Sequence, residues 1–304
     1  MEISQIIINS LVRGAELSLL AIGLTMVFDI LKFANFAHPD YAILGAFFAY
    51  LFNRVMGVNL LLAVILAALL TGIVGILIDQ AIFKRLRMIG AKPVTLMIAS
   101  MGTAIALRNL MRLIWTSHTK TYAIPIRKPL EILGARTTPL QIWIIIAGVL
   151  SMIAFHLLLH RTTFGKALRA ISDNSELASA CAIDSEKMIR WMWFVASAYG
   201  VLGGCMIAME HLLYPRLGFN IIIPVFCATI LGGIGNPYGA MVGALILAFA
   251  ENIVLAFDFS LLFNLGGMFD IKSLYVNTGY KPAISFAILI VVLLFKPTGI
   301  LGKK

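Results

Sequence analysis

Residues 35–46, Asn-Phe-Ala-His-Pro-Asp-Tyr-Ala-Ile-Leu-Gly-Ala (NFAHPDYAILGA), fall where an uninterrupted membrane helix would otherwise run. The chain before them, 17–31 (LSLLAIGLTMVFDIL), and the chain from 43 to 52 (ILGAFFAYLF) are almost wholly apolar. Pro39 removes a backbone donor and breaks a helix that runs into it, while Gly45 lets another backbone approach closely. In lipid such a break survives only where it is buried in protein or lines a watery cavity. The stretch therefore predicts a discontinuous helix inside an all-α integral membrane protein, with Pro39 and Gly45 as features of the break.

The rest of the chain agrees. Of its 304 residues 61% are hydrophobic and only 12% charged, and the mean hydropathy is +0.96, far from a soluble domain with about 25% charged residues. The polar sequence is too scattered for a separate soluble domain, so residues 1–304 read as a single transmembrane domain. The start, MEISQIIINS, lacks the positive cluster and cleavage site of a signal peptide. Cys181, Cys205 and Cys227 are widely spaced without CxxC or His at ligand spacing, so neither a disulfide framework nor a metal site is expected. The net charge of +10 is gathered in short stretches between apolar runs, a topological pattern rather than a nucleic-acid footprint.

Runs long enough to span occur at 11–31, 33–52, 59–83, 94–115, 140–159, 190–212 and 281–295, and a longer run at 221–257 is broken by GGIGNPYG, Gly232–Gly239. This predicts a polytopic helical bundle of about 8–9 transmembrane segments. Loop Lys84–Lys92 carries four positive residues and no acid, and Arg161–Arg190 carries five positives against four acids; both are placed on the cytoplasmic side. The N-terminus and loops 117–139 and 215–220 then lie outside, although the first of these loops holds Lys120, Arg127, Lys128 and Arg136. The tail is inside if 221–257 makes a hairpin or re-entrant path.

An internal repeat links the opening stretch to the second half. Pro39–Ala46 (PDYAILGA) and Pro237–Ala244 (PYGAMVGA) share the pattern P-x-x-A-φ-φ-G-A, preceded by His38 and Asn236. Transporters often carry such duplications and place substrate sites at discontinuous helices. Asn35 and His38 read first as caps for the helix that starts at Pro39, with Asp40 complementing the dipole, whereas at Asn236, before Pro237, capping and solute contact stand equally open. Beside the break, Asn35, His38, Asp40 and Tyr41, with Asn236 and Tyr238 in the second half, are candidates for a polar substrate pathway. Gly243 matches Gly45 as a close-packing position. Glu251, further along the second helix, faces either the pathway or a partner. Asp29, Asp79, Arg108, Arg112 and Glu210 also fall in or beside spans, where Asp79 and the two arginines read as residues solvated near span ends.

The polar segment 161–189 contains RTTFGKALRAISDNSELASACAIDSEKM and predicts two short helices about a turn at 173–175, with an apolar face suited to docking. Here the sequence resembles a known family, the membrane permease subunits of branched-chain amino acid type ABC importers. Gly165, Lys166, Ala167, Arg169, Ala170, Asn174, Ala178 and Ile183 fit that family's cytoplasmic signature, while Ser172 and Ala182 depart from it, Ala182 replacing a usual glycine. NFAHPDYAILG, ILGGIGNPYGAMVGALILAFAEN and the terminal KPTGILG are similar to three further family motifs in the same order.

The resemblance implies a non-catalytic subunit that translocates branched-chain amino acids or a similar small polar solute. It implies two ABC ATPase subunits, a second homologous permease in a hetero- or homodimer, an extracytoplasmic solute-binding protein, and a multi-pass location among the lipids of a bacterial inner membrane. Gly165, Lys166, Arg169, Asn174, Ala178 and Ile183 would couple to the ATPase. Independently, the chain has no G-x-x-x-x-G-K-[ST] phosphate loop. ATP is therefore expected on partner subunits, with no cofactor on this chain. The rival reading is an ion-coupled secondary transporter or channel in which Asp29, His38 and Asp40 carry protons.

Overall fold

In the computed structural model the described residues are 3–125, 128–132, 134–258, 260, 275–296 and 298–302; Arg127 and Pro297 lie outside them. The helices are α1 (Ile3–Leu31), α2 (His38–Tyr50), α3 (Leu60–Ile78), α4 (Lys84–Met88), α5 (Pro93–Trp115), α6 (Pro139–Arg161), α7 (Thr163–Asp173), α8 (Ser175–Ala180), α9 (Ser185–Glu210), α10 (Leu217–Gly232), α11 (Pro237–Ala256) and α12 (Lys281–Phe295). A small antiparallel hairpin pairs β1 (Leu130–Ile132) with β2 (Ala135–Thr137). Among the described residues seven helices are long and apolar enough to cross a bilayer. The shorter α10, and α2 extended by a π-helical turn over Leu51–Val55, complete the expected bundle.

Position in the bundle follows from how apolar surface is distributed around each helix. α1 is buried on every side from Val12 to Val27 and packs against α9 and α11, as an all-round apolar helix must. α3, α6 and α12 instead expose rows of large apolar side chains, including Leu61, Ile65, Leu69, Trp143, Leu150, Ile153, Leu294 and Phe295, a surface suited to lipid.

Tertiary contacts sort the chain's turns into two groups. At one end Ser172 Oγ donates to Asp29 Oδ1 (2.6 Å), Asn236 Nδ2 donates to Leu301 O (2.9 Å), and Arg87 and Lys84 approach Glu186 at 3.5 and 3.8 Å. At the other end Lys120 bridges Leu213, Ala123 N donates to Asn53 Oδ1 (2.9 Å), and Arg136 N donates to Gln5 Oε1 (2.9 Å). Tyr122, on that same face, donates to Ala46 O (2.8 Å), and burial raises its phenol well above the ordinary range. These groups coincide with the inside and outside loops read from charge. Segment 221–257 forms the expected hairpin: α10 descends, turns at Gly233–Asn236, and α11 returns.

One boundary differs from expectation. The run placed at 59–83 continues helically through a π-helical turn, Asp79–Phe83, into α4 and ends at Met88. The extra turns carry Arg87 back toward Asp79, with Nη1 donating to Oδ1 at 2.7 Å. Asp79 is thus a fully buried partner of Arg87, and not a group solvated at the interface.

Candidate functional site

The site is built where α2 begins. α1 stops when Lys32 turns the chain at φ 54°, and 33–37 then run back into the bundle without regular helix. The buried His38 ring lies against Gly23 of α1 and Gly200 of α9: a Cβ on Gly23 would stand 2.5 Å from His38 Cε1, and one on Gly200 3.1 Å away. Gly23 lies eight residues before the end of α1, about 12 Å along its axis. α2 therefore starts well inside the membrane-spanning layer.

Hydrogen bonding explains how the break is tolerated. Asn35 Oδ1 accepts from Ala37 N (3.1 Å), and Ser100 Oγ of α5 accepts from Phe36 N (3.0 Å). Phe36 stacks on Phe226 of α10, with centroids 4.9 Å apart. The helix itself begins at His38 with Ala37 as N-cap and no side-chain cap. Asn35 thus closes the turn before the helix, and His38, expected as a cap, is its first residue with its ring given to packing. Pro39 occupies the first turn as anticipated.

Asp40 is fully buried and held by both ends of one guanidinium: Arg108 Nε donates to Oδ1 (3.2 Å) and Nη2 to Oδ2 (2.9 Å). Arg108 also lies over the Phe219 ring at 5.0 Å, and Gly218 brings α10 against Asp40, where a Cβ would stand 2.7 Å from Oδ1. Arg108, expected to be solvated near a span end, is instead the partner of this carboxylate; opposite charges within two spans are the signal for the pairing, since a carboxylate at membrane depth needs a partner. Tyr41 is buried beside Trp193 (6.2 Å), which stacks on Phe83 (5.0 Å). Gly45 admits α9, a Cβ there meeting Val201 at 2.1 Å. Asn35, His38, Asp40 and Tyr41 are therefore together but enclosed in this conformation.

The second motif starts its helix at another depth. Asn236 caps α11, its Oδ1 accepting from Tyr238 N (3.1 Å) and Gly239 N (3.2 Å). Pro237 again sits in the first turn, and Gly243 lets α10 approach until a Cβ would stand 2.2 Å from Ala228 O. This start lies at the face shared with the tail, however, and Tyr238 meets His156 (2.9 Å, Oη to Nδ1), a contact between α11 and α6. Glu251 is fully buried, bonded to Ser285 of α12 and 3.6 Å from Arg13 Nε, so it points between helices of its own chain.

The segment 161–189 forms the two expected short helices. Thr162 caps α7 by accepting from Gly165 N (3.1 Å), and Asn174 caps α8 by accepting from Leu177 N (2.9 Å). At its end Ile183 N donates to Ala178 O and Ala182 N to Ser179 O, both at 3.1 Å, the paired bonds of a Schellman turn. Ala182 takes the left-handed position at φ 61°, keeping the glycine-type turn without the glycine. Gly165 fits where a Cβ would stand 2.1 Å from Leu159 O, and Arg169 Nη1 donates to that same carbonyl at 2.7 Å. Lys166 and Leu177 point outward, Leu177 at 63% exposure.

Residues 6–293 match a family profile described as branched-chain amino acid transport system / permease component. The chain is 30% identical over 315 residues to the high-affinity branched-chain amino acid transport system permease protein BraD of Pseudomonas aeruginosa, covering 98% of this chain and 95% of that one. It is 29% identical over 311 residues to the corresponding protein LivH of Escherichia coli, covering 97% and 94%. Similarity of 26% over 173 residues extends to the probable permease LivM of Methanocaldococcus jannaschii, covering 53% and 46%. A chain in the structure of PsaBC from Streptococcus pneumoniae in complex with Fab superposes with a TM-score of 0.50 at 13% identity, covering 97% of this chain and 92% of that one, a likeness of fold.

Proposed function

Since the chain belongs to the branched-chain amino acid transport system permease family, we propose that it is the membrane-spanning subunit of an ATP-driven importer for branched-chain amino acids or a closely similar small solute. A binding protein outside the membrane delivers the solute, two ATPase subunits supply the energy, and a second permease completes the pathway in a bacterial inner membrane. The chain itself performs no ATP chemistry.

The observation that carries this reading is the construction of the α7–α8 arm. One side is anchored to the bundle by buried Leu168 and Ile171, by Ser172 on Asp29 and by Arg169 on the end of α6. The other side presents Lys166, the polar turn at Asp173–Ser175 and an uncovered Leu177. An apolar residue left bare on a short helix, α8, that is joined to the anchored α7 and held by its own buried Ala178, is what a docking knob requires. Gly165, Arg169, Asn174, Ala178 and Ile183 give the arm its shape, and Lys166 with Leu177 forms the contact. Closure of the ATPase pair on ATP moves the arm, and its anchorage passes that motion to α1, α6 and α9.

Leu177→Asp tests this directly. The variant chain is expected in the membrane at wild-type amount but without co-purifying ATPase subunits. Retained ATPase and full uptake would overturn the docking role, and substrate flux through the isolated chain driven by a proton gradient would overturn the ATP-driven class.

A further inference from the structure

Beside the Asp40–Arg108 pair, an open groove of about 390 Å³ runs between α5 and the start of α10, lined by Ile105, Arg108, Asn109, Arg112, Arg216 and Phe219. Three guanidinium groups share it. Asp40 answers Arg108, but among the described residues no carboxylate lies within ion-pair distance of Arg112 or Arg216; Arg112 reaches only Asn109 Oδ1, at 3.5 Å. Arg216 is also the N-cap of α10 and provides no side-chain cap there, so the first-turn N–H groups of that helix add positive potential. Arg108 and Arg112 lie seven and three residues from the end of α5, about 10 and 5 Å along its axis, so the groove occupies the outer part of the bundle. Cations at such depth face water or an anionic partner, and three like charges gathered along one groove attract the anion.

The walls narrow the class of anion. Ile105 and Phe219 are 57% and 51% exposed and flank the guanidinium groups, so the groove offers a planar two-pronged donor for a carboxylate beside an apolar surface for a short side chain. We propose that this groove binds the transported amino acid as it enters from the outer face: Arg112 and Arg216 hold the carboxylate, Ile105 and Phe219 meet the aliphatic side chain, and Arg108 is kept in position by Asp40. The proposal rests on the importer reading for the identity of the ligand. It gives Asp40 a positioning role, acting through Arg108 without touching solute. It also places first contact on α5 and α10, ahead of the enclosed residues at the start of α2.

The test uses the purified chain in phosphatidylcholine nanodiscs, with phenylglyoxal labelling read by peptide mass at Arg112 and Arg216. Leucine is expected to slow labelling of both at least fivefold, and leucinamide, which lacks the carboxylate, to leave it unchanged. Equal protection by the two compounds, or none by either, overturns the proposal. Protection seen only when phosphatidylglycerol replaces phosphatidylcholine also overturns it, in favour of a lipid phosphate. In the complete transporter, Arg112→Gln/Arg216→Gln should lower leucine uptake at least tenfold with the chain assembled to wild-type amount, and unchanged uptake counts against the groove. Failure of the importer reading shows separately, as absent leucine uptake by the wild-type transporter while carboxylate-dependent protection persists.

Discussion

The buried pair of Asp40 and Arg108 shows what single residues contribute. Removing one partner of a buried ion pair leaves the other charge uncompensated, at a cost of about 3–5 kcal/mol. Asp40→Ala is therefore expected to lower the yield of folded chain sharply, and Asp40→Ala/Arg108→Met to recover much of it, as read by detergent-solubilised monodisperse protein; equal yields from the single and double variants would contradict the pairing. At the arm, Ala182 holds a conformation that disfavours a side chain, and Ala182→Gly relieves about 1 kcal/mol of strain. Amide exchange at Ile183, whose N–H closes the turn on Ala178, should slow about fivefold in that variant. These residues differ in how legible they were. The departure at Ala182 was visible in the sequence; the packing of His38 was not, because Gly23 and Gly200 come together only in the folded bundle.

At the scale of elements, the α10–α11 hairpin depends on backbone meeting backbone. A Cβ on Gly232 would stand 2.0 Å from Gly239 O, and one on Gly243 2.2 Å from Ala228 O. Gly243→Ile is thus expected to abolish accumulation of folded protein in the membrane. Gly102, on the exposed side of α5 with nothing within 4 Å, provides the contrast: Gly102→Ala should accumulate as wild type and gain up to about 1 kcal/mol from helix propensity. Immunoblots of membrane fractions compare the two directly. Both Pro-initiated helices were legible from the repeated P-x-x-A-φ-φ-G-A pattern, because proline and small residues act locally. Their unequal depths were not, since depth is set by which neighbours receive each start. The extension to Met88 was missed for a similar reason: a basic run reads as loop until Asp79 provides a buried partner for Arg87.

For the whole molecule, the native cysteines provide a test of sidedness. Cys181 is exposed on the α7–α8 arm, whereas Cys205 and Cys227 are buried. A membrane-impermeant maleimide is expected to label the wild-type chain once, at Cys181, in inside-out vesicles and not in intact cells; labelling from outside would invert the topology. The fold class and the order of crossings were legible because lipid demands long apolar helices and basic loops mark one side. The outer groove was not, because Arg112 on α5 and Arg216 before α10 are far apart in sequence and meet only through the packing of α10 against Asp40.

The irregular segment before α2 also bears on how the chain is made. As residues 33–37 leave the ribosome, neither Ser100 nor the helix carrying Gly200 has yet been synthesised, and hydrocarbon cannot satisfy the bare amides. The second span therefore has no finished seat at the moment of its own insertion. The start of α2 can complete its contacts only once α5 and α9 have been made, although it is translated before either.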